Sequence, residues 1–178
     1  GENNKIQSGT HNTSIIGRNN IAYGLNENCL ISGKNNTINN GLNGATVLGE
    51  YGRGIRQGEF VVGGGANGGL NTDNVPQFSV VQLSINTTDN TATNLNVNGI
   101  DQDFINLQNN SILGFEAFII RLETGGSSGT IGNFSYRHMK GVVKIENNYD
   151  TTITTFNTRV LGKDGSNGSV SVVDVATG

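Results

Sequence analysis

Along the first 65 residues, short apolar runs alternate with polar turn formers at a regular interval. The runs Ser14-Ile15-Ile16, Leu30-Ile31-Ser32 and Thr46-Val47-Leu48 each lead into a tetrad that begins with glycine. The tetrads Gly1-Glu2-Asn3-Asn4, Gly17-Arg18-Asn19-Asn20 and Gly33-Lys34-Asn35-Asn36 recur every sixteen residues, and the pattern fades through Gly49-Glu50-Tyr51-Gly52 to Gly65-Ala66-Asn67-Gly68. Val61-Val62 falls close to where the next apolar run belongs. A second apolar point lies midway, at Ile6, Ile21, Ile38 and Ile55, with a spacing that slips by one residue. Two short strands per repeat follow from this pattern.

Sixteen residues are too few for a helical repeat pair but suit one coil of a β-solenoid with two brief strands and two turns. Glycine and asparagine supply the turns because they tolerate positive φ. Gly1, Gly17, Gly33 and Gly49 are therefore expected at equivalent turns, with Asn3, Asn19 and Asn35 stacked beside them. At a strand spacing of about 4.8 Å, stacked side-chain amides bond to one another along the column. A flat coil with two apolar points is expected to have no closed interior of its own. Its burial then falls short of the entropy lost on ordering the coil, and pooling the apolar edges of three identical chains around one axis restores the balance. A homotrimer is the expected assembly.

Beyond residue 65 the period disappears. The turn-rich stretch 66–76, which holds the only proline, reads as a linker. Longer strand-like runs follow, at Phe78 to Ile85, Phe104 to Leu107, Ile112 to Leu122, Ile131 to Ile145, Thr151 to Leu161 and Val170 to Val175. Their short, irregular connections favour an antiparallel β-sandwich over residues 77–178. Met139, Val143 and Ile145 share one parity, while Tyr136, His138, Lys140 and Lys144 share the other, as on a half-exposed strand. Ala117-Phe118-Ile119-Ile120 is apolar on both parities, which predicts a central strand. The fold class is therefore all-β: a short solenoid over 1–65, then a sandwich. The apolar run before Gly178 suggests a chain cut from something longer.

Composition sharpens this reading. The chain has 27 Gly and 28 Asn but only 14% charged residues, so helix formers are scarce. A net charge of -3 argues against a nucleic-acid partner, which needs clustered Lys and Arg. No apolar stretch is long enough for membrane insertion. The single cysteine, Cys29, excludes an intrachain disulfide and reads as filler of a small buried column.

Candidate chemistry is sparse, and no catalytic residue, cofactor or metal is expected. His11 and His138 have no ligand-spaced partners, and Asp101-Gln102-Asp103 and Asp164 to Gly168 supply too few oxygens for calcium. Gly63 to Gly69 lacks the lysine and helix of a phosphate loop, and Ser127-Ser128 lacks a nucleophile elbow. A sugar-cleaving solenoid needs paired carboxylates along a groove, whereas the repeats carry only Glu2, Glu27, Glu50 and Glu59 as acids. Irregular loops and half-exposed strand residues are then the places for recognition. Tyr136, Arg137, His138, Asn147 and Asp150 are the candidate receptor-facing residues, with loops 86–94, 125–129, 147–150 and 163–167 around them.

The runs Asn12-Thr13-Ser14-Ile15-Ile16-Gly17, Asn28-Cys29-Leu30-Ile31-Ser32-Gly33 and Gly44-Ala45-Thr46-Val47-Leu48-Gly49 resemble the repeats of phage tail-fibre proteins. They are also similar to the β-roll heads of trimeric autotransporter adhesins. The second half, from Gln77-Phe78-Ser79-Val80-Val81-Gln82-Leu83 through Asn109-Asn110-Ser111-Ile112, looks like the terminal β-domains that follow such repeats in virion proteins. The resemblance implies a non-catalytic homotrimer in a virion tail fibre, outside the cell, that contacts other tail proteins and a host surface glycan or protein. An adhesin head and a purely structural fibre module are the alternatives.

Overall fold

In the computed structural model, residues 1–65, 76–88, 91, 93–97, 105, 107, 109–126, 129–147, 150–164 and 170–172 are described. All assigned elements among them are strands. The chain divides into two compact units, Gly1–Ile105 and Asn106–Gly178.

The first unit is a β-solenoid. Its long strands β2 (Ser14–Arg18), β4 (Leu30–Lys34), β6 (Thr46–Glu50) and β8 (Phe60–Gly64) form one parallel sheet. Its short strands β1 (Lys5–Ile6), β3 (Ile21–Ala22), β5 (Thr37–Ile38) and β7 (Arg53–Gly54) form another. Ser14 pairs with Leu30 and Leu30 with Thr46, which is the expected sixteen-residue register. The last coil departs from it: Thr46 pairs with Phe60 and Gly49 with Gly63, a step of fourteen. Two residues are missing from the turn after β7, and Glu59 fills the gap. Its carboxylate is fully buried and accepts hydrogen bonds from the Ile55 and Arg56 amides, at 2.9 and 3.1 Å, and from Arg56 Nη1 at 2.6 Å.

The interior is closed within one chain, contrary to the expectation of an open coil. Ile31, Val47 and Val61 from the long strands meet Ala22 and Ile38 from the short ones, with Cys29, Leu42 and Ala45 beside them. The midway column is Ile6, Ala22, Ile38 and Gly54, so the apparent slip at Ile21 and Ile55 disappears: both residues lie one place off the inward position. Ile16 faces outward and is 61% exposed.

Gly17, Gly33, Gly49 and Gly63 do stack in register, but they lie within the long strands rather than in turns. A Cβ on Gly17 or on Gly33 would sit 1.9 Å from the carbonyl oxygen of the next glycine, so the backbones approach too closely for any side chain. Gly1 begins this column: its Cβ would lie 2.2 Å from Gly17 O. Asn3, Asn19 and Asn35 occupy left-handed turns, at φ 54, 57 and 55°, as expected of asparagine. The buried amide ladder, however, runs one residue later, through Asn4, Asn20 and Asn36. Asn20 N–H donates to Asn4 Oδ1 at 3.1 Å, Asn36 N–H to Asn20 Oδ1 at 2.9 Å, and Gly52 N–H to Asn36 Oδ1 at 2.7 Å.

β9 (Gln77–Val80) is antiparallel to β8 and extends the solenoid's long sheet. The strand expected to open the second domain thus belongs to the first unit, because β8 offers a free edge. Of the expected linker, only Pro76 lies among the described residues. The second unit is a three-stranded antiparallel sheet in the order β10 (Ser111–Leu122), β11 (Phe134–Ile145), β12 (Thr151–Lys163). A facing second layer is not among the described residues. Ala117–Ile120 lies on β10, an edge strand of this sheet rather than its centre. β11 is central, and its Met139, Val143 and Ile145 are buried on one face. Of the expected strands at 104–107 and 170–175, the described residues 105, 107 and 170–172 are not in strands, and the rest lie outside the described set.

Candidate recognition face

Alternation along β10 and β11 fixes which side chains share a face. On β11, Tyr136, His138, Lys140 and Lys144 fall together, as the sequence indicated, and Phe134 joins them. Register then sets Leu122, Ile120, Phe118, Glu116 and Ile112 of β10 directly opposite them. The pairing of Phe118 with His138 is the centre of this surface. The two rings stack 4.6 Å apart and 3° from parallel, with the Tyr136 ring 6.3 Å from Phe118.

One step along the sheet, Glu116 Oε1 lies 2.6 Å from His138 Nε2 and 3.2 Å from Lys140 Nζ. The Lys140 ammonium, and after it His138, hold the Glu116 carboxyl below the usual carboxylate range. Lys144 holds Glu146 low in the same way near the end of the strand. Glu116 is therefore an anion at neutral pH, already engaged by Lys140 and His138, and a poor proton donor. Phe118 is 60% exposed and Ile120 76%, so the face is open rather than a cleft. Such an arrangement suits binding through ring stacking and charge-assisted hydrogen bonds.

The five candidate receptor-facing residues do not converge. Tyr136 and His138 share the aromatic face. Arg137, one residue between them, points to the opposite face, half-buried on the Met139 side. Asn147 and Asp150 lie at the β11–β12 connection, where Glu146 N–H donates to Asp150 O at 2.9 Å. That connection is about 30 Å along β11 from Tyr136 at the rise of an extended strand. Asn147 instead borders a shallow open depression with Asn110, Ile112, Lys144 and Glu146. Sequence reasoning missed Phe118 and Glu116. Their signal was the parity they share across the register with His138 and Lys140, which only the strand pairing reveals.

Cys29 is a free thiol buried in the solenoid, its Sγ donating to Glu27 O at 3.2 Å, and burial raises its pKa. Among the described residues, no group of three His, Cys, Asp or Glu side chains comes together as a metal site would require. Asp101 and Asp103 lie outside the described residues, as does the span 165–168. Among the described residues, no helix is long and apolar enough to cross a membrane. Comparison with known proteins finds no matching family model, no matching curated protein and no matching solved structure.

Proposed function

We propose that this chain is a non-catalytic segment of a fibrous surface appendage, a phage tail fibre on the reading of its repeats, and that it works as a homotrimer. One observation carries the proposal: the solenoid is complete inside yet remains apolar outside. The outward columns of its long sheet are Ser14, Leu30, Thr46, Phe60 and Val80, then Ile16, Ser32, Leu48, Val62 and Phe78, mostly apolar, with Arg18, Lys34 and Glu50 along one border, on a stack whose interior is already filled. Phe78 is 64% exposed. The outward positions of the short sheet are Lys5, Ile21, Thr37 and Arg53, mostly polar. A sheet face of this kind on a secreted or virion protein is covered by protein in use, and identical chains around one axis cover all copies at once. In this reading the trimer forms through the outward apolar face, not by completing an unfilled coil.

The solenoid then sets length and stiffness, and the β10–β11 face supplies contact with a host surface glycan or protein. Three copies of a weak contact give avidity without any new interaction. Light scattering on the purified protein is expected to give about 56 kDa, three times the 18.7 kDa chain. The attachment role is tested by adding purified trimer to host cells before the particle that carries this chain. Slower particle adsorption supports it, and unchanged adsorption with no staining by labelled trimer leaves a structural fibre module.

A further inference from the structure

Each side of the solenoid is held by a series of backbone hydrogen bonds that steps from one coil to the next. Along the short strands, Lys5 N–H donates to Asn20 O at 2.8 Å, Ile21 N–H to Asn36 O at 2.9 Å and Thr37 N–H to Gly52 O at 2.9 Å. The next donor in the series, Arg53 N–H, meets a side chain in place of backbone. Gln77 Oε1 accepts it at 3.1 Å, while Gln77 Nε2 donates to Arg53 O at 3.3 Å and to Ser79 Oγ at 3.2 Å. A third side of the coil runs through the parallel bridges His11 to Glu27 and Glu27 to Asn43. There His11 N–H donates to Asn26 O at 2.7 Å and Glu27 N–H to Leu42 O at 2.9 Å. This series also ends on a glutamine: Asn43 N–H donates to Gln57 Oε1 at 2.6 Å, and Gln57 Nε2 donates to Gly41 O at 2.9 Å.

Along the long strands, the amides of Ser14, Leu30 and Thr46 donate to Cys29 O, Ala45 O and Glu59 O. The last edge on this side is taken by β9, which reverses direction, and Gly64 N–H donates to Pro76 O at 2.9 Å. Ser79 lies opposite Val61, so the buried column of Ile31, Val47 and Val61 ends on a hydroxyl. A primary carboxamide carries the same donor and acceptor as a peptide group, and one glutamine therefore satisfies a strand edge as a further strand would. It differs in what lies behind it: a side chain has no backbone on its far side, so the ladder is not passed on. The two glutamines stand on the two sides of the last coil that β9 does not cover.

We propose that Gln57, Gln77 and β9 together form a terminator of the coil stack, an autoinhibitory contact by which the chain occupies its own last edge and denies it to the strands of other chains. An uncovered parallel edge is a template for pairing, and a stack of repeats stays soluble only when its terminal coil is closed by a polar cap. Here the cap is built from inside the chain, with one device for each side of the coil. The glutamines lie outside the outward apolar columns of the long sheet and outside the β10–β11 face, so the terminator is separable from both association and recognition.

The test compares Gln57→Met and Gln77→Met, singly and together in the whole chain, with the unaltered chain by amide hydrogen exchange and by light scattering over a range of concentrations. Methionine keeps the reach of the side chain and removes both hydrogen-bonding atoms. Exchange is expected to quicken by more than about tenfold at Asn43 in Gln57→Met and at Arg53 in Gln77→Met, while β4 and β6 stay protected. Gln77→Glu, which keeps the acceptor, is expected to leave Arg53 slow. The mass of the double variant is expected to rise with concentration above that of the unaltered chain, a comparison that holds whatever assembly the unaltered chain adopts. If the double variant loses protection in β4 and β6, the same rise is read in the single variants. The proposal is overturned if Asn43 and Arg53 stay slow in the methionine variants, or if Gln77→Glu releases Arg53 as fully as Gln77→Met. It is equally overturned if both amides are released and the mass matches that of the unaltered chain at every concentration.

Discussion

Asn36 shows how one residue holds two coils together. Its Oδ1 accepts from the buried Gly52 N–H at 2.7 Å, and its Nδ2 donates to Gly49 O at 2.8 Å and to Ser32 O at 3.3 Å. Asn36→Ala strands these groups out of reach of water, so a loss of about 2 to 4 kcal/mol is expected in urea unfolding. Asn40→Ala, on the exposed turn, is expected to change stability by less than about 0.5 kcal/mol. Glu116 carries a pH prediction. Its carboxyl is held low by Lys140 and then His138, so any stability it contributes is present above the ordinary carboxylate pKa and is lost as pH falls through the lowered one. A carboxyl NMR titration is expected to place Glu116 below its usual value, and Lys140→Met to move it back up.

At the scale of elements, the shortened fourth coil depends on a buried ion pair. Glu59 is fully buried against Arg56, and removing the carboxylate leaves a desolvated guanidinium and two turn amides to find other partners. Glu59→Ala is expected to destabilise the first unit by about 3 to 5 kcal/mol in thermal or urea unfolding. In the second unit, β11 is paired along both edges while β10 and β12 are each paired along one in the described sheet. Hydrogen exchange is therefore expected to be slowest in β11, centred on Met139 and Val143. Equal protection in β10 would point to a further partner along its free edge.

At the scale of the molecule, a filled interior beneath an apolar outer face separates two properties that the open-coil expectation had tied together. On the proposed trimer, folding of a coil and association of chains would draw on different residues: Ile31, Val47 and Val61 inside, Leu48 and Val62 outside. Leu48→Asp is accordingly expected to lower the mass seen by light scattering while the amides of β4 and β6 stay protected. Loss of protection together with loss of mass would mean that the coil needs its neighbours to fold.

The sequence by itself determined the coil. A period of sixteen with glycine and asparagine at fixed offsets leaves few ways to turn a chain, and the register of the first three long strands follows from counting. The absence of α-helix among the described residues was equally legible, since it depends on local composition. Tertiary structure decided everything that depends on which atoms meet. The amide ladder belongs to Asn4, Asn20 and Asn36 rather than to their preceding neighbours, because the first asparagine of each pair is consumed in a left-handed turn and only the second points inward. The fourth coil is two residues short, and at its shortened turn the Ile55 and Arg56 amides donate to the buried Glu59 carboxylate, a contact between side chain and backbone that no repeat count reveals. The aromatic face exists because register sets Phe118 on His138, and the pairing partner of a strand is a non-local fact that neither strand's own pattern contains.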